Sequence, residues 1–415
     1  MRKPLSLLLM FILLVSSFLA GCSSSESGSG SDSGDKEISF IHWRGEDSDA
    51  FDELISRFEE ENPDISVEMT VYPSEQYQST AQTLLRDGST GDVFTAFPGS
   101  QFEIIKEAGL FEDLSGEDLV GNFNESLIEA GQSDGEQLAL PLQLVYNQPV
   151  YNKTLFDELG LEPAEDWEGF LELCQTLKDN GYTPIAFPGA DIGPGQMMNP
   201  MMMNNAPEGV FGEMMNGETE LTDDWWVDTL AQFKELMDKG YIGEDALGMK
   251  HEGAIAQVAQ EEAAMLASGS YAMANIKELN PEMELGLLAP ITVPASEAEF
   301  EGIHTTTFML AVNSKSQNKE EAKMFIDFLS QPENAEFYAN ETGQALTIPE
   351  LNYESDSLKA TEEWMEKNTR FQPRYLIPDA DVEKAVIASI QNVLSGEDPE
   401  AAAQSAQEIV NQKMQ

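Results

Sequence analysis

Apolar residues follow two alternating spacings over residues 37–108, and this pattern predicts strands and helices in turn. Apolar runs and every-second-residue spacing predict strands at 37–43, 65–71 and 92–97. Apolar residues three or four positions apart predict helices at 49–61, 76–86 and 102–108. The β-α-β-α-β-α order favours an α/β fold with a mostly parallel sheet.

The stretch 141–156, which reads PLQLVYNQPVYNKTLF, separates this series from a second one. We predict a strand at 138–144 and a helix at 153–159, and we interpret the stretch as a crossing between two lobes with a cleft beside it. Further strands are predicted at 184–187, 263–266, 283–288 and 306–312. Helices are predicted at 167–180, 225–239, 319–329, 333–340, 358–368, 382–394 and 399–413, so only helices are expected after the last strand.

The first residues have the features of a secretion signal. Arg2 and Lys3 precede an apolar run at 5–20 that is short for a membrane-spanning helix. The sequence LAGC at 19–22 resembles a bacterial lipoprotein cleavage site, which implies a signal peptide over 1–21 and a lipid on Cys22. Residues 22–35 would be a flexible tether, since serine and glycine dominate them. An uncleaved anchor is the alternative, and either one would leave the rest on the extracellular or periplasmic face of the cell membrane.

The charge balance is strongly acidic, with 22 basic and 75 acidic residues and a net charge of −53. The acids are spread along the chain, so nucleic acid is excluded as a partner. Such a surface is typical of proteins from salt-rich surroundings, where screening reduces self-repulsion. A calcium-loaded surface is the competing interpretation, but no D-x-[DN]-x-[DN]-G loop occurs, and we expect no metal site.

Several sulfur and indole side chains are expected to pack rather than react. Cys174 has the spacing of a helix core, and it would be unpaired if Cys22 is lipidated. Five methionines at 197–203 are interpreted as adaptable apolar filler. Thioethers also bind Cu(I), but no Cys or His accompanies this cluster. Trp225 and Trp226 fit one helix face.

Five segments occur in a characteristic order: ISFIHW, GDVFTAF, LALPLQLVYNQPVYNKTLFDELGL, EEAAMLASGSYAMANI and HTTTFMLAVNSKSQNKEEAKMFIDFL. Together they resemble the extracellular solute-binding proteins of ABC importers, in the carbohydrate-binding family that includes maltose-binding proteins. The resemblance covers nearly all of the mature chain. It departs from the family at Tyr271, where many members have Trp, at residues 302–304, which replace a glycine pair, and in the segment TGQALTIPE.

The resemblance implies a two-lobed periplasmic-binding-protein fold, in which each lobe is a mostly parallel sheet flanked by helices and a hinge lies at the cleft. The N-terminal lobe is expected at 36–144 plus 300–345, and the C-terminal lobe at 145–299 plus 346–415. It implies a membrane-anchored monomer without cofactor that closes around a carbohydrate and delivers it to the transmembrane subunits of an ABC permease.

Candidate ligand-binding residues follow from sugar chemistry and from position. A sugar presents C–H faces and in-plane hydroxyls, so its receptor needs aromatic platforms and planar polar side chains. In open α/β sheets, ligands lie beyond the carboxyl ends of the strands. These rules and the family positions select Trp43, Arg44, Glu46, Phe97, Gln101, Gln143, Tyr146, Asp191, Tyr271 and His304.

Each candidate also has a purely structural interpretation. Trp43 can belong to a solvated loop, Gln143 and Tyr146 can be hinge residues, and Tyr271 can pack within its turn. The family position favours ligand contact for Tyr271.

Two other functions stay open. The same receptor could bind a peptide, a polyamine or an anion, and Arg44 keeps an acidic sugar open. A secreted carbohydrate-active enzyme, which would use a pair of carboxylates, is the other class. With 75 acidic residues, a candidate pair can be found by chance, so such a pair is no evidence for an enzyme. We expect no enzyme, because the chain has three histidines and no G-x-S-x-G, H-E-x-x-H or phosphate-binding loop.

Overall fold

The structure is a computed structural model that describes residues 36–414. The predicted signal peptide, the tether at 22–35 and Cys22 lie outside the described residues. The strands are β1 Lys36–His42, β2 Ile65–Val71, β3 Val93–Ala96, β4 Gln132–Ser133, β5 Glu136–Gln137, β6 Leu140–Tyr146, β7 Val150–Asn152, β8 Thr183–Ala186, β9 Ala263–Leu266, β10 Leu285–Leu287, β11 Gly302–Val312, β12 Ala345–Leu346 and β13 Thr369–Phe371.

The helices cover both sheets. They are α1 Ser48–Glu61, α2 Ser74–Leu85, α3 Ser100–Glu107, α4 Lys153–Leu159, α5 Trp167–Asp179, α6 Gly193–Met202, α7 Val210–Met215, α8 Asp224–Asp238, α9 His251–Ala259, α10 Met273–Leu279, α11 Lys319–Ser330, α12 Pro332–Thr342, α13 Asp356–Glu362, α14 Ala380–Leu394 and α15 Pro399–Lys413. Short 3₁₀ turns at Gly45–Asp47, Ser270–Ala272 and Pro373–Leu376 carry residues of the candidate site.

Two main sheets organise the described chain. The first has seven strands in the order β12-β6-β11-β3-β1-β2, with β13 paired to β11, and the second has the order β10-β7-β9-β8. In the first sheet β1 runs parallel to β2 and β3, whereas β11 runs antiparallel to β3 and β6. In the second sheet only β8 and β9 run parallel. The expectation of mostly parallel sheets is therefore wrong, because the strands that cross or return between the sheets enter antiparallel.

The stretch 141–156 is a crossing between the two sheets, as predicted. Its strand β6 belongs to the first sheet, and β7, which begins after three intervening residues, belongs to the second. Strand β11 then returns the chain to the first sheet. Strand β13 also pairs in the first sheet, although it falls within the range 346–415 assigned to the C-terminal lobe. The division into lobes at the predicted bounds stays a prediction.

The prediction that only helices follow residue 312 is wrong. Strands β12 and β13 occur there, and the helix predicted at 358–368 ends at Glu362 and continues as one 3₁₀ turn. These strands are two and three residues long, so pairing with β6 and β11, rather than a local apolar pattern, makes them extended.

The predicted packing roles are confirmed. Cys174 and Trp226 are fully buried, and Trp225 is nearly so. The five methionines of 197–203 are at most 1% exposed. Four of them belong to the core around the second sheet, and Met203 belongs to a smaller cluster with Phe300 and Ile303, so the structure uses them as apolar filler.

We expect stability to rise with salt, because a net charge of −53 repels itself and screening shortens its range. The Debye length falls from about 10 Å at 0.1 M to about 3 Å at 1 M ionic strength. The midpoint of thermal unfolding should rise as sodium chloride increases over that range. Sucrose at equal osmolality is the control for general solute exclusion. A midpoint that stays constant in salt would contradict the prediction.

Candidate functional site

Two predicted aromatic residues meet at the carboxyl edge of the first sheet. Because β1 and β3 are neighbouring parallel strands, the residues that follow them lie side by side. The rings of Trp43 and Phe97 stack with centroids 3.6 Å apart and an interplanar angle of 21°. Both residues are half-buried, and Trp43 also packs edge-on against Phe308. The pair forms a broad apolar platform at the strand ends.

Arg44 directly follows Trp43, but its charge is already paired with acidic side chains of the protein. The side chain is about 6% exposed, and its guanidinium group donates to both carboxylate oxygens of Asp47, with Nη2 to Oδ1 at 3.0 Å. The exposed Glu46 adds an Oε1 atom 3.3 Å from Nη2. Arg44 is therefore held by two acidic residues of the next 3₁₀ turn, and Asp47 was not among the predicted residues.

The same carboxylate extends into a buried network with Gln143. The Tyr338 hydroxyl donates to Asp47 Oδ2 at 2.5 Å and accepts from Gln143 Nε2 at 2.7 Å. Burial, and then the charge of Asp47, raise the pKa of Tyr338 well above its ordinary value, so the phenol keeps its proton. Gln143 is 1% exposed and helps to fix this network.

Gln101, Tyr146 and His304 are also tied into the protein. The amide oxygen of Gln101 accepts from the backbone N–H of Phe97 at 2.7 Å and so shapes the loop that presents the aromatic ring. Tyr146 is 2% exposed, and its backbone N–H donates to Ser270 Oγ. His304 Nδ1 lies 2.9 Å from Thr369 Oγ1, between β11 and β13.

Tyr271 ends a polar chain on the second sheet. Its hydroxyl accepts from Ser268 Oγ at 2.8 Å, and Ser268 Oγ itself lies 2.9 Å from His251 Nε2. The Asp191 carboxylate accepts from the backbone N–H groups of Ile192 and His251, so it satisfies the first N–H group of α9. His251 and Ser268 were missed, because their contact depends on the pairing of α9 with the end of β9.

One hydrogen bond joins the first sheet to the turn that carries Tyr271, because the backbone N–H of Tyr146 donates to Ser270 Oγ at 3.1 Å. Burial raises the pKa of Tyr271, whereas the hydrogen bond from Ser268 and the positive charges of Arg374 and Arg44 lower it. Tyr146 ends β6 of the first sheet and Tyr271 follows β9 of the second, so the bond from Tyr146 to Ser270 joins the ends of strands from both sheets.

A second contact joins the start of α3 to α14. Ser100 Oγ donates to Glu383 Oε2 at 2.6 Å, and Arg374 Nε donates to Glu383 Oε1 at 2.7 Å. Gly99 has φ of +82°, and a Cβ there would lie 2.9 Å from the carbonyl oxygen of Tyr375. Only glycine fits this backbone conformation and this close approach. Arg374 and Glu383 were not predicted as site residues, because neither belongs to a recognisable motif. The only available signal was that basic residues are few in this chain, with 22 against 75 acidic ones.

The match to known families decides the identity. Residues 44–336 match the family described as bacterial extracellular solute-binding protein. The chain belongs to this family. The resemblance noted in the sequence is confirmed, and the family assigns this solute-binding protein to the extracellular or periplasmic side of the cell. No helix within residues 36–414 is both long and apolar enough to cross a membrane.

Curated relatives of this solute-binding protein are distant but span most of it. The multiple sugar-binding protein of Streptococcus mutans is 23% identical over 375 residues, covering 84% of each chain. The melibiose/raffinose/stachyose-binding protein of Bacillus subtilis is 24% identical over 354 residues, covering 82% of this chain and 80% of its own.

Solved structures confirm the two-lobed fold. A solute-binding protein in complex with raffinose has a TM-score of 0.77 at 20% identity, covering 91% of this chain and 100% of that one. A chitin oligosaccharide binding protein has a TM-score of 0.80 at 18% identity, covering 91% and 99%.

We expect acid to destabilise this solute-binding protein through His42. Burial lowers the pKa of His42 to about 4, although Asp47 acts in the opposite direction. In the unfolded chain the pKa is about 6.5, so the unfolded state takes up the proton first as the pH falls. The stabilisation is complete above about pH 6.5 and is lost progressively towards pH 4, with a loss of about 2 kcal/mol at about pH 5.

Urea unfolding at about pH 7.5 and about pH 5 measures this loss. His42 stacks on Phe40 at a centroid distance of 4.8 Å, so His42→Phe keeps an aromatic ring in place while it removes the titrating group. The variant should lose less stability between the two pH values than the natural protein. Equal losses would show that His42 does not carry the pH dependence.

Proposed function

We propose that this protein is a sugar receptor that captures a mono- or oligosaccharide between its two lobes and delivers it to an ABC importer. The observation that carries the proposal is the presence of aromatic rings beyond the carboxyl ends of strands in both sheets, with the Trp43–Phe97 platform after β1 and β3 and Tyr271 after β9. Aromatic faces suit the C–H surfaces of a pyranose ring, and neighbouring amides and carboxylates suit its hydroxyls. The named sugar ligands of the relatives support the same class of ligand.

The state of Arg44 favours a neutral sugar over an acidic one. An arginine that binds a ligand carboxylate needs free N–H groups, whereas this guanidinium group is nearly buried and engaged by Asp47 and Glu46. Loss of acidic-sugar binding in Arg44→Ala, with neutral-sugar binding intact, would overturn this part of the proposal.

Lobe closure and membrane attachment complete the proposal. We assign the lobes to 36–144 plus 300–345 and to 145–299 plus 346–415, with β13 as an added strand of the first sheet. The Ser100–Glu383 hydrogen bond is a contact of the kind that closure makes, since it joins the start of α3, which follows β3 of the first sheet, to α14. A lipid on Cys22 would keep a monomer beside the permease. Cys22→Ala should release the protein from the membrane fraction.

Isothermal titration calorimetry on the purified protein tests the ligand class. The panel contains raffinose, stachyose, melibiose, galactose and chitin oligosaccharides, together with a peptide, a polyamine and phosphate as non-sugar solutes. We expect at least one sugar to bind with a dissociation constant below the millimolar range. If no sugar does so while a non-sugar solute binds, the sugar assignment fails.

A further inference from the structure

Three chain segments at one end of the first sheet lie side by side. The first follows β6 at Asn147, the second is the start of β11 at Ile303, and the third follows β13 at Gln372 and leads to α14. The backbone N–H of Asn147 donates to the carbonyl of Ile303 at 3.0 Å, and the backbone N–H of Gln372 donates to the carbonyl of His304 at 2.8 Å. The backbone N–H of Ile303 in turn donates to the side-chain oxygen of Gln148 at 2.7 Å. Hydrogen bonds therefore hold the three segments together.

Side-chain amides add a further link, and it is incomplete. Asn147 Nδ2 donates to Gln372 Oε1. The two residues are 2% and 0% exposed. Asn147 Oδ1 and Gln372 Nε2 are both buried and have no hydrogen-bond partner among residues 36–414. Buried polar atoms are normally paired, so one free acceptor and one free donor in adjacent amides require a physical reason.

The location of the free acceptor supplies that reason. A Cβ added to Gly269 would lie 2.8 Å from Asn147 Oδ1 and 2.8 Å from Tyr271 Cε1. The amide oxygen and the edge of the tyrosine ring therefore both pack closely against Gly269, and this approach is possible because glycine has no side chain. The unused acceptor of Asn147 thus lies against the same glycine as Tyr271, the ring proposed to contact the sugar.

We propose that Asn147 and Gln372 form a hydroxyl-binding pair at the base of the ligand site. A ligand hydroxyl would donate to Asn147 Oδ1 and accept from Gln372 Nε2. This inference rests on the proposed function and deepens it, because it specifies a neutral, hydroxylated ligand. A carboxylate or phosphate oxygen only accepts and would leave Asn147 Oδ1 unpaired, whereas an ammonium group only donates and would leave Gln372 Nε2 unpaired.

One free donor and one free acceptor remain whichever atom of each side-chain amide is taken as the nitrogen and whichever as the oxygen. Exchanging the nitrogen and oxygen of both side chains reverses the direction of the bond between them. One donor and one acceptor are again left free, and a hydroxyl again satisfies both. Since the two residues lie in different segments at this end of the first sheet, a hydroxyl bound to both would also link those segments when ligand is present.

Calorimetry with deoxy sugars tests the pair directly. The probes are the panel sugar that binds the natural protein most tightly and analogues that each lack one hydroxyl. We expect one analogue to bind the natural protein on the order of tenfold more weakly. Gln372→Met, which is similar in length and lacks the donor, should bind the parent sugar about tenfold more weakly and should not distinguish that analogue from it. Asn147→Leu is the second variant and should behave in the same way.

Gln137→Met is the matched control, because Gln137 is a buried amide whose Nε2 bonds are to the carbonyls of Ile128 and Ala139. It should lower the unfolding temperature and keep the natural affinity. If both pair variants keep the affinity and the discrimination of the natural protein, the amides do not touch ligand and this inference fails alone. If no single deoxy analogue binds the natural protein more weakly, it also fails. If the natural protein binds no sugar at all, the proposed function fails.

Discussion

Replacing Asp47 by alanine is expected to lower the free energy of unfolding by about 3–5 kcal/mol, because Arg44 would stay buried without its partner. The carboxylate is 2% exposed and accepts from the guanidinium group and from the Tyr338 hydroxyl. Its removal leaves the buried guanidinium group with only the exposed Glu46 as an acidic partner, and it leaves the O–H of Tyr338 without its acceptor. Guanidinium chloride unfolding with linear extrapolation measures the loss.

Two further variants test whether the loss of stability comes from leaving Arg44 buried without Asp47. Glu53→Ala removes an exposed partner of Arg57 and should change stability by at most about 1 kcal/mol. Arg44→Met combined with Asp47→Leu removes both charges and should recover much of the loss, because a buried ion pair contributes little net stability over well-packed apolar side chains. An Asp47→Ala variant no less stable than Glu53→Ala would show that Arg44 reaches solvent.

The sequence predicted best the elements that have one buried face. Helix α1 has buried residues at helical spacing, and its start was placed within one residue. Strand β2 and helix α4 were predicted with the bounds that they have. Helix α6 was missed, because all but one of its residues are buried and no polar face marks its period.

The sequence predicted those residues of the candidate site that directly follow the carboxyl ends of strands. The rule that ligands lie beyond carboxyl ends selected Trp43 and Phe97, and the structure stacks them. The same rule cannot distinguish a free side chain from one whose partner comes from a distant segment. Gln143 is held by Tyr338 of α12, and Asn147 is joined to Gln372 beyond β13. Such contacts depend on tertiary pairing, which spacing along a single chain does not reveal.

Tyr271 carries the second large effect, on ligand binding. Tyr271→Ala is expected to weaken sugar binding by about tenfold to a hundredfold, because it removes an aromatic face worth roughly 1.5–3 kcal/mol of contact. Tyr271→Phe keeps the face and loses only the hydrogen bond from Ser268, so its affinity should stay within about threefold of the natural protein's. Calorimetry with the tightest-binding panel sugar measures both variants.

The contrast between the two variants separates a ligand contact from packing. Tyr182→Ala serves as the control, since Tyr182 is a half-buried ring packed against the core of the second sheet. It should lower the unfolding temperature without changing affinity. If Tyr271→Ala behaves like this control, Tyr271 only packs within its turn. If Tyr271→Phe loses as much affinity as Tyr271→Ala, the hydroxyl and its chain to Ser268 and His251, rather than the aromatic face, are what the sugar recognises.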